Sequence, residues 1–183
     1  MIFTEMKKNN KIKKDVIEKS WEIICKNSFF SISMQDIANY LNIKKSLLYY
    51  YFESKTDLFT QTIDNYFANL KNKFEIIFRQ NLTAGEKIKK LTQIYLNEIK
   101  KESMLAFLYP ENNKIDKTIV SLVKKIQKEI IEYFNRALIE GKKSGEFKNI
   151  DPKFTSFAII GFMDKIKQLD IDPDPNWPKI FIY

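Results

Sequence analysis

Apolar residues recur at helical intervals along most of the chain, with charged residues filling the gaps. Between residues 12 and 27, Ile12, Val16, Ser20/Trp21, Ile23 and Ile24 fall on one side of a helix. A break, Ser28-Phe29-Phe30-Ser31, follows. Ser33-Met34-Gln35-Asp36 then has the form of a capping box, with Asp36 in the place usually taken by Glu or Gln, and opens a short helix carrying Ile37, Ala38 and Leu41. Asn42 tolerates the left-handed backbone of a tight turn and ends that helix; a second short one follows from Lys44 to Tyr51. From Ser54 to about residue 81 a long helix presents Leu58, Phe59, Ile63, Tyr66, Phe67, Leu70, Phe74, Ile77 and Phe78 on its apolar side.

A second capping box, Thr83-Ala84-Gly85-Glu86, starts a helix with Ile88, Leu91, Tyr95 and Ile99 on one face. Met104 to Tyr109 is a compact apolar patch ending at Pro110, before a polar loop over 111–117. Another long helix is predicted from about Thr118 to Lys143, closed by Gly141 and Gly145. Asp151-Pro152 caps the last helix, which reaches about Leu169. That helix is apolar on two stripes, one of Phe154, Phe157, Ala158 and Gly161, the other of Ile159, Ile160, Met163 and Ile166. A helix apolar nearly all round must be covered on both sides. A second copy of the chain is the simplest second cover, so Phe154, Phe157, Ala158 and Gly161 are expected at a homodimer interface, where the two small residues allow close approach.

The fold class expected is therefore all-α. Composition agrees: 44% hydrophobic content supports a core, and 4 Gly with 5 Pro is too few for a turn-rich β fold. Net charge is +8, which favours an anionic partner. A Lys-, Ile- and Asn-rich composition accounts for much of that excess equally well, since Arg79 and Arg136 are the two arginines present. Local placement says more. Lys7, Lys8, Lys11, Lys13 and Lys14 cluster near the start, and Lys44 and Lys45 lie in a stretch, 37–52, without an acid.

Residues 42–59 combine those lysines with three consecutive tyrosines and Lys55, and basic groups beside phenolic hydroxyls on a short helix suit a phosphate-lined groove. Helix, short helix, tight turn, short helix is helix-turn-helix geometry, in which Ala38 sits where two helices approach closely. The expected partner is double-stranded DNA.

Other chemistry is thinly represented. The single cysteine, Cys25, allows no intramolecular disulfide and reads as a buried thiol; with no His, the commonest general base and metal ligand is missing. Neither a glycine-rich phosphate loop nor a nucleophile motif appears, so no enzyme activity, cofactor or metal is expected. No signal peptide or long apolar run is present, which points to the cytoplasm and to no membrane partner.

Ser33-Met34-Gln35-Asp36-Ile37-Ala38, then Leu48-Tyr49-Tyr50-Tyr51-Phe52, then Ser54-Lys55-Thr56-Asp57-Leu58 resemble the TetR-type transcriptional repressors over residues 12–60. Farther along, Glu140-Gly141, Gly145-Glu146-Phe147 and Asp151 are similar to the junction before the last helix in many members. The resemblance implies a three-helix helix-turn-helix DNA-binding domain over 1–53, with 1–11 a mobile basic arm. A long linking helix and a helical ligand-binding and dimerisation domain, 54–183, would follow. Carried over by position, Ser33, Gln35, Lys45, Ser46, Leu47 and Tyr49 would face the groove, while Lys44, Tyr50, Tyr51 and Lys55 would mostly hold phosphates.

The chain departs from the usual pattern in several places. Ser28 and Asn42 replace glycines, Lys44 stands at a common Ser cap, Tyr51 at a usual His, and Leu47 at a common Thr. No Arg is available for bidentate guanine reading, so weak guanine selection is expected, with Leu47 offered to a thymine methyl. The regulatory domain of such proteins binds a small molecule. Apolar faces nominate Tyr66, Tyr95, Met104, Phe107, Phe134 and Phe162 as a pocket for a hydrophobic or flat effector, with Glu98 or Glu102 available to a cationic one. Two alternatives stay open: a C-terminal domain that senses a protein partner, and activation rather than repression.

Overall fold

The computed structural model describes residues 2–27, 29, 31–99 and 116–169. Ser28, the apolar patch with Met104 and Phe107, Glu102, and the tail 170–183 lie outside these residues. Seven helices are described: α1 (Ile2–Lys26), α2 (Met34–Tyr40), α3 (Lys45–Tyr51), α4 (Lys55–Phe78), α5 (Ala84–Ile99), α6 (Lys117–Ser144) and α7 (Pro152–Gln168). No strand occurs among the described residues, and none of their helices is long and apolar enough to cross a membrane.

Residues 2–11, expected as a mobile arm, form the first turns of α1. They contain neither Gly nor Pro, and Lys, Met and Glu propagate a helix at little cost once the downstream turns exist. Other differences are small: α4 stops at Phe78, a turn earlier than the pattern suggested, and Lys117 is helical rather than part of the preceding loop.

The chain divides into two compact units. Residues through Asn69 join those described from Pro110–Val123, and the rest of the chain forms the second unit. In the first, Ile24, Ile37, Leu48, Phe59 and Ile63 are fully buried. The Trp21 ring stacks on Tyr66 at 3.8 Å, joining α1 to α4. Asp116 accepts from the Thr118 backbone N–H at 2.8 Å and from the Thr56 hydroxyl at 3.0 Å, so one carboxylate caps α6 and ties it to the first turn of α4. Those bonds, the Thr118 N–H first, hold the Asp116 carboxyl below its ordinary value.

In the second unit α5 packs on α7. Tyr95, Phe134, Phe74 and Met163 are buried there, and the Tyr95 hydroxyl donates to Asp164 at 2.8 Å. Burial, followed by a hydrogen bond to Glu75, pushes the Tyr133 hydroxyl up to about 12. The start of α5 is bound twice. Thr83 and Glu86 form the expected capping box, at 3.2 and 2.8 Å. In addition the Glu146 carboxylate accepts the Ala84 and Gly85 N–H groups at 2.9 Å each. Gly145 makes this possible by adopting φ 77° after α6.

Candidate nucleic-acid interface

The α2–α3 pair is built by local interactions. The Asp36 N–H donates to Ser33 Oγ at 3.2 Å, and the Asp36 carboxylate accepts the Ser33 N–H at 2.8 Å and its hydroxyl at 2.6 Å. Together these bonds lower the Asp36 carboxyl from its ordinary value of 3.8. Asn42 takes φ 53°, the left-handed turn expected of it, and the Ile43 N–H returns to the Ala38 carbonyl at 3.0 Å. Ala38 is fully buried, as close approach of the helices requires. Lys44 occupies the N-cap of α3 without a side-chain cap, as its substitution for Ser implies.

Burial sorts the residues of α3 into two faces. Leu48 points into the core with Phe52 just beyond the helix, while Lys44, Lys45 and Ser46 are exposed and Leu47 and Tyr51 are half-buried. Tyr49 is 50% and Tyr50 67% exposed. A large aromatic left this open on a short helix is costly to hydrate unless something else covers it. Lys45 Nζ lies 5.8 Å over the Tyr49 ring, and the Tyr50 and Tyr51 rings meet edge to face at 4.9 Å. Gln35 is exposed on α2 and donates to Asn39 at 2.8 Å. Ser33 is exposed at the cap. The exposed candidates on α2, α3 and their caps thus offer two ammonium groups, four hydroxyls and an amide.

Lys55 stands apart from this face. Its ammonium donates to the carbonyls of Phe29 at 2.7 Å and Ile32 at 3.1 Å and lies 4.3 Å over the Phe29 ring. These bonds make Lys55 an internal anchor and compete with the phosphate contact expected of it. A lysine beside a groove-facing helix and a lysine tying down a loop look alike in sequence. Its acceptors lie 26 and 23 residues away.

Tyr66 belongs to the first unit, stacked on Trp21, whereas Tyr95 and Phe134 are buried in the second, with ring centres 6.4 Å apart. Phe162 is half-buried on α7, and Glu98 is buried and paired with Lys73 at 2.6 Å. Sequence reasoning missed Asp164; a carboxylate inside the apolar stripe of the last helix is the signal that would have found it. On the other stripe of α7, Phe154 is 74% and Phe157 52% exposed, Gly161 is exposed, and Ala158 is half-covered. The opposite stripe, Ile159, Ile160, Met163 and Ile166, is buried.

Known proteins share this architecture. Residues 16–62 match the family model described as bacterial regulatory proteins, tetR family, and residues 81–168 match the tetracyclin repressor-like C-terminal domain. A relative in Bacillus subtilis, the uncharacterized HTH-type transcriptional regulator YhgD, is 23% identical over 149 residues, covering 81% of this chain and 78% of its own. The transcriptional regulator FadR of Bacillus subtilis, solved in complex with stearoyl-CoA, superposes with a TM-score of 0.73 at 18% identity, over 91% of this chain and 96% of that one. AibR, solved with isovaleryl coenzyme A and operator DNA, gives 0.69 at 14% identity, over 91% and 92%. Identities this low show the common fold. With its helix-turn-helix and its C-terminal domain both matched, the chain belongs to the tetR family of bacterial regulatory proteins, DNA-binding regulators of transcription.

Proposed function

We propose that this regulator is a homodimeric repressor, released from its operator by a small hydrophobic or aromatic effector bound in the C-terminal unit. The exposed face of α3 carries the first half of the reading. Lys44, Tyr50 and Tyr51 take phosphates, while Ser33, Gln35, Lys45, Ser46, Leu47 and Tyr49 meet base edges. The open stripe Phe154, Phe157, Ala158 and Gly161 supports the dimer, because a second α7 is the partner that a self-complementary apolar stripe fits.

Release follows from helix continuity. Phe59 and Ile63 of α4 belong to the core of the first unit, and Leu70 and Phe74 to that of the second. An effector that displaces the second half of α4 acts on the first half, and so on the separation of the two heads. Those heads must reach successive major grooves about 34 Å apart. The effector lowers operator affinity by its preference for the other separation and by nothing else. Acyl-coenzyme A thioesters, the ligands of FadR and AibR, are the first class to screen, by thermal shift.

The test is an anisotropy titration on DNA from the protein's own promoter. Binding should exceed that to unrelated DNA and fall steeply with salt. Lys44→Ala should weaken all sequences alike and reduce the salt slope by about 1. Binding no tighter than to unrelated DNA at low salt would overturn the reading.

A further inference from the structure

The first helix begins well ahead of Val16. From Asn10 to Asp15 the side chains are exposed or half-buried, and Val16 is buried. Yet α1 continues back to Ile2, so the eleven residues Ile2–Ile12 extend about 16 Å beyond Lys13 at the usual rise per residue. Between Ile2 and Lys14 there are five lysines, Lys7, Lys8, Lys11, Lys13 and Lys14, against one acid, Glu5. In sequence Lys7, Lys11 and Lys14 are spaced by four and three residues. Like charges at these spacings work against a helix in isolation, so the extension gains most when an anion lies beside it.

Its position relative to α3 is set by Lys13. That ammonium lies 5.4 Å over the ring of Phe52, the residue that closes α3. The Phe52 ring is 6.5 Å from that of Tyr51, which meets Tyr50 at 4.9 Å. Lys13 thus places its turn of α1 beside the end of α3 that carries the tyrosines. The phosphate-binding charge of the head is also short of what its sequence suggests, because Lys55 is bound to two backbone carbonyls. Affinity for a duplex rests largely on the number of phosphates neutralised.

We propose that the helical N-terminal extension of α1 is a second DNA-binding element, laid along phosphates that flank the site of α3. This rests on the reading of α3 as the DNA-binding helix. The phosphates of one strand repeat every ~3.4 Å along the duplex, so a helix of this length passes several of them.

The experiment compares the wild type with Lys7→Ala/Lys8→Ala/Lys11→Ala and the corresponding triple Arg variant, measuring operator affinity by anisotropy across a salt series. Lys13 and Lys14 are left in place, since Lys13 packs on Phe52 and Lys14 pairs with Glu18. In the Ala variant the slope of log K against log salt should become shallower by about 0.9 for each phosphate no longer neutralised. Its preference for operator over unrelated DNA should be unchanged, and the Arg variant should keep the full slope. Circular dichroism establishes that both variants are folded. A folded Ala variant with the wild-type slope overturns this inference alone. Failure of the wild type to prefer its promoter overturns the reading of α3 and this inference with it.

Discussion

The ammonium of Lys55 donates to the carbonyl oxygen of Phe29 at 2.7 Å and covers that residue's ring at 4.3 Å. A second bond, to Ile32 at 3.1 Å, completes a clasp between the first turn of α4 and the connection leading into α2. A cation here satisfies two carbonyls of the connection and orients the cap at Ser33.

Lys55→Met should therefore lower the melting temperature, at a cost of about 1–3 kcal/mol for bonds to a charged donor, while the salt slope of DNA binding stays as in the wild type. Thermal denaturation and an anisotropy salt series measure the two effects separately. Unchanged stability with a slope reduced by about 1 would return Lys55 to the phosphate-binding set.

In the second unit, Gly141 is packed so tightly that a Cβ would collide with the Phe147 ring and crowd Ala84. Phe147 is buried, and its N–H reaches the Gly141 carbonyl at 3.1 Å. Gly141→Ala should destabilise by about 1–3 kcal/mol, as overpacking does. Glu146→Ala removes both acceptors at the start of α5 and should cost about 1–2 kcal/mol. Urea unfolding of each variant checks this, and a neutral Gly141→Ala would contradict the packing.

Phe154→Asp combined with Phe157→Asp should leave the protein monomeric by light scattering at concentrations where the wild type is dimeric. Both rings are exposed in the single chain, so the substitutions remove nothing from its own core. A dimer that persists would move the interface away from this stripe.

Acid sensitivity follows from Asp36 and Asp116, both held below their ordinary value of 3.8 by hydrogen bonds, from Ser33 and Thr118 respectively. A carboxylate with a depressed folded-state value stabilises the fold above its unfolded value. That contribution is lost as the pH falls through the folded value. Stability should therefore be insensitive to these groups between pH 7 and 5 and decline below about 4. Asp36→Asn should be less stable than the wild type at pH 7 and lose less on acidification, as measured by melting temperature against pH. Equal acid losses in the two proteins would remove Asp36 from the account.

Much of this was legible from neighbouring residues. The two capping boxes, the left-handed Asn42, the uncapped start of α3 and the two stripes of α7 each depend on partners within a few positions, and each stands as expected. Their energetics are local, so a short window of sequence contains both sides of every bond. The same holds for the lysine–tyrosine face of α3, where helical register alone separates Leu48 from Tyr49 and Tyr50.

What the chain's order could not supply was the pairing of groups far apart along it. Lys55 meets carbonyls 26 and 23 residues back, Thr56 meets Asp116 at a separation of 60, and Tyr95 meets Asp164 at 69. Tyr66 and Tyr95 both lie on apolar helix faces, yet they belong to different units. Periodicity reports that a residue is turned inward; which partner awaits it depends on how whole helices dock, a choice made by packing many side chains at once. The helical start of α1 is a related case: its residues include no Gly or Pro, and the turns downstream, anchored from Val16 onward, provide the nucleus from which it propagates against the repulsion of its lysines.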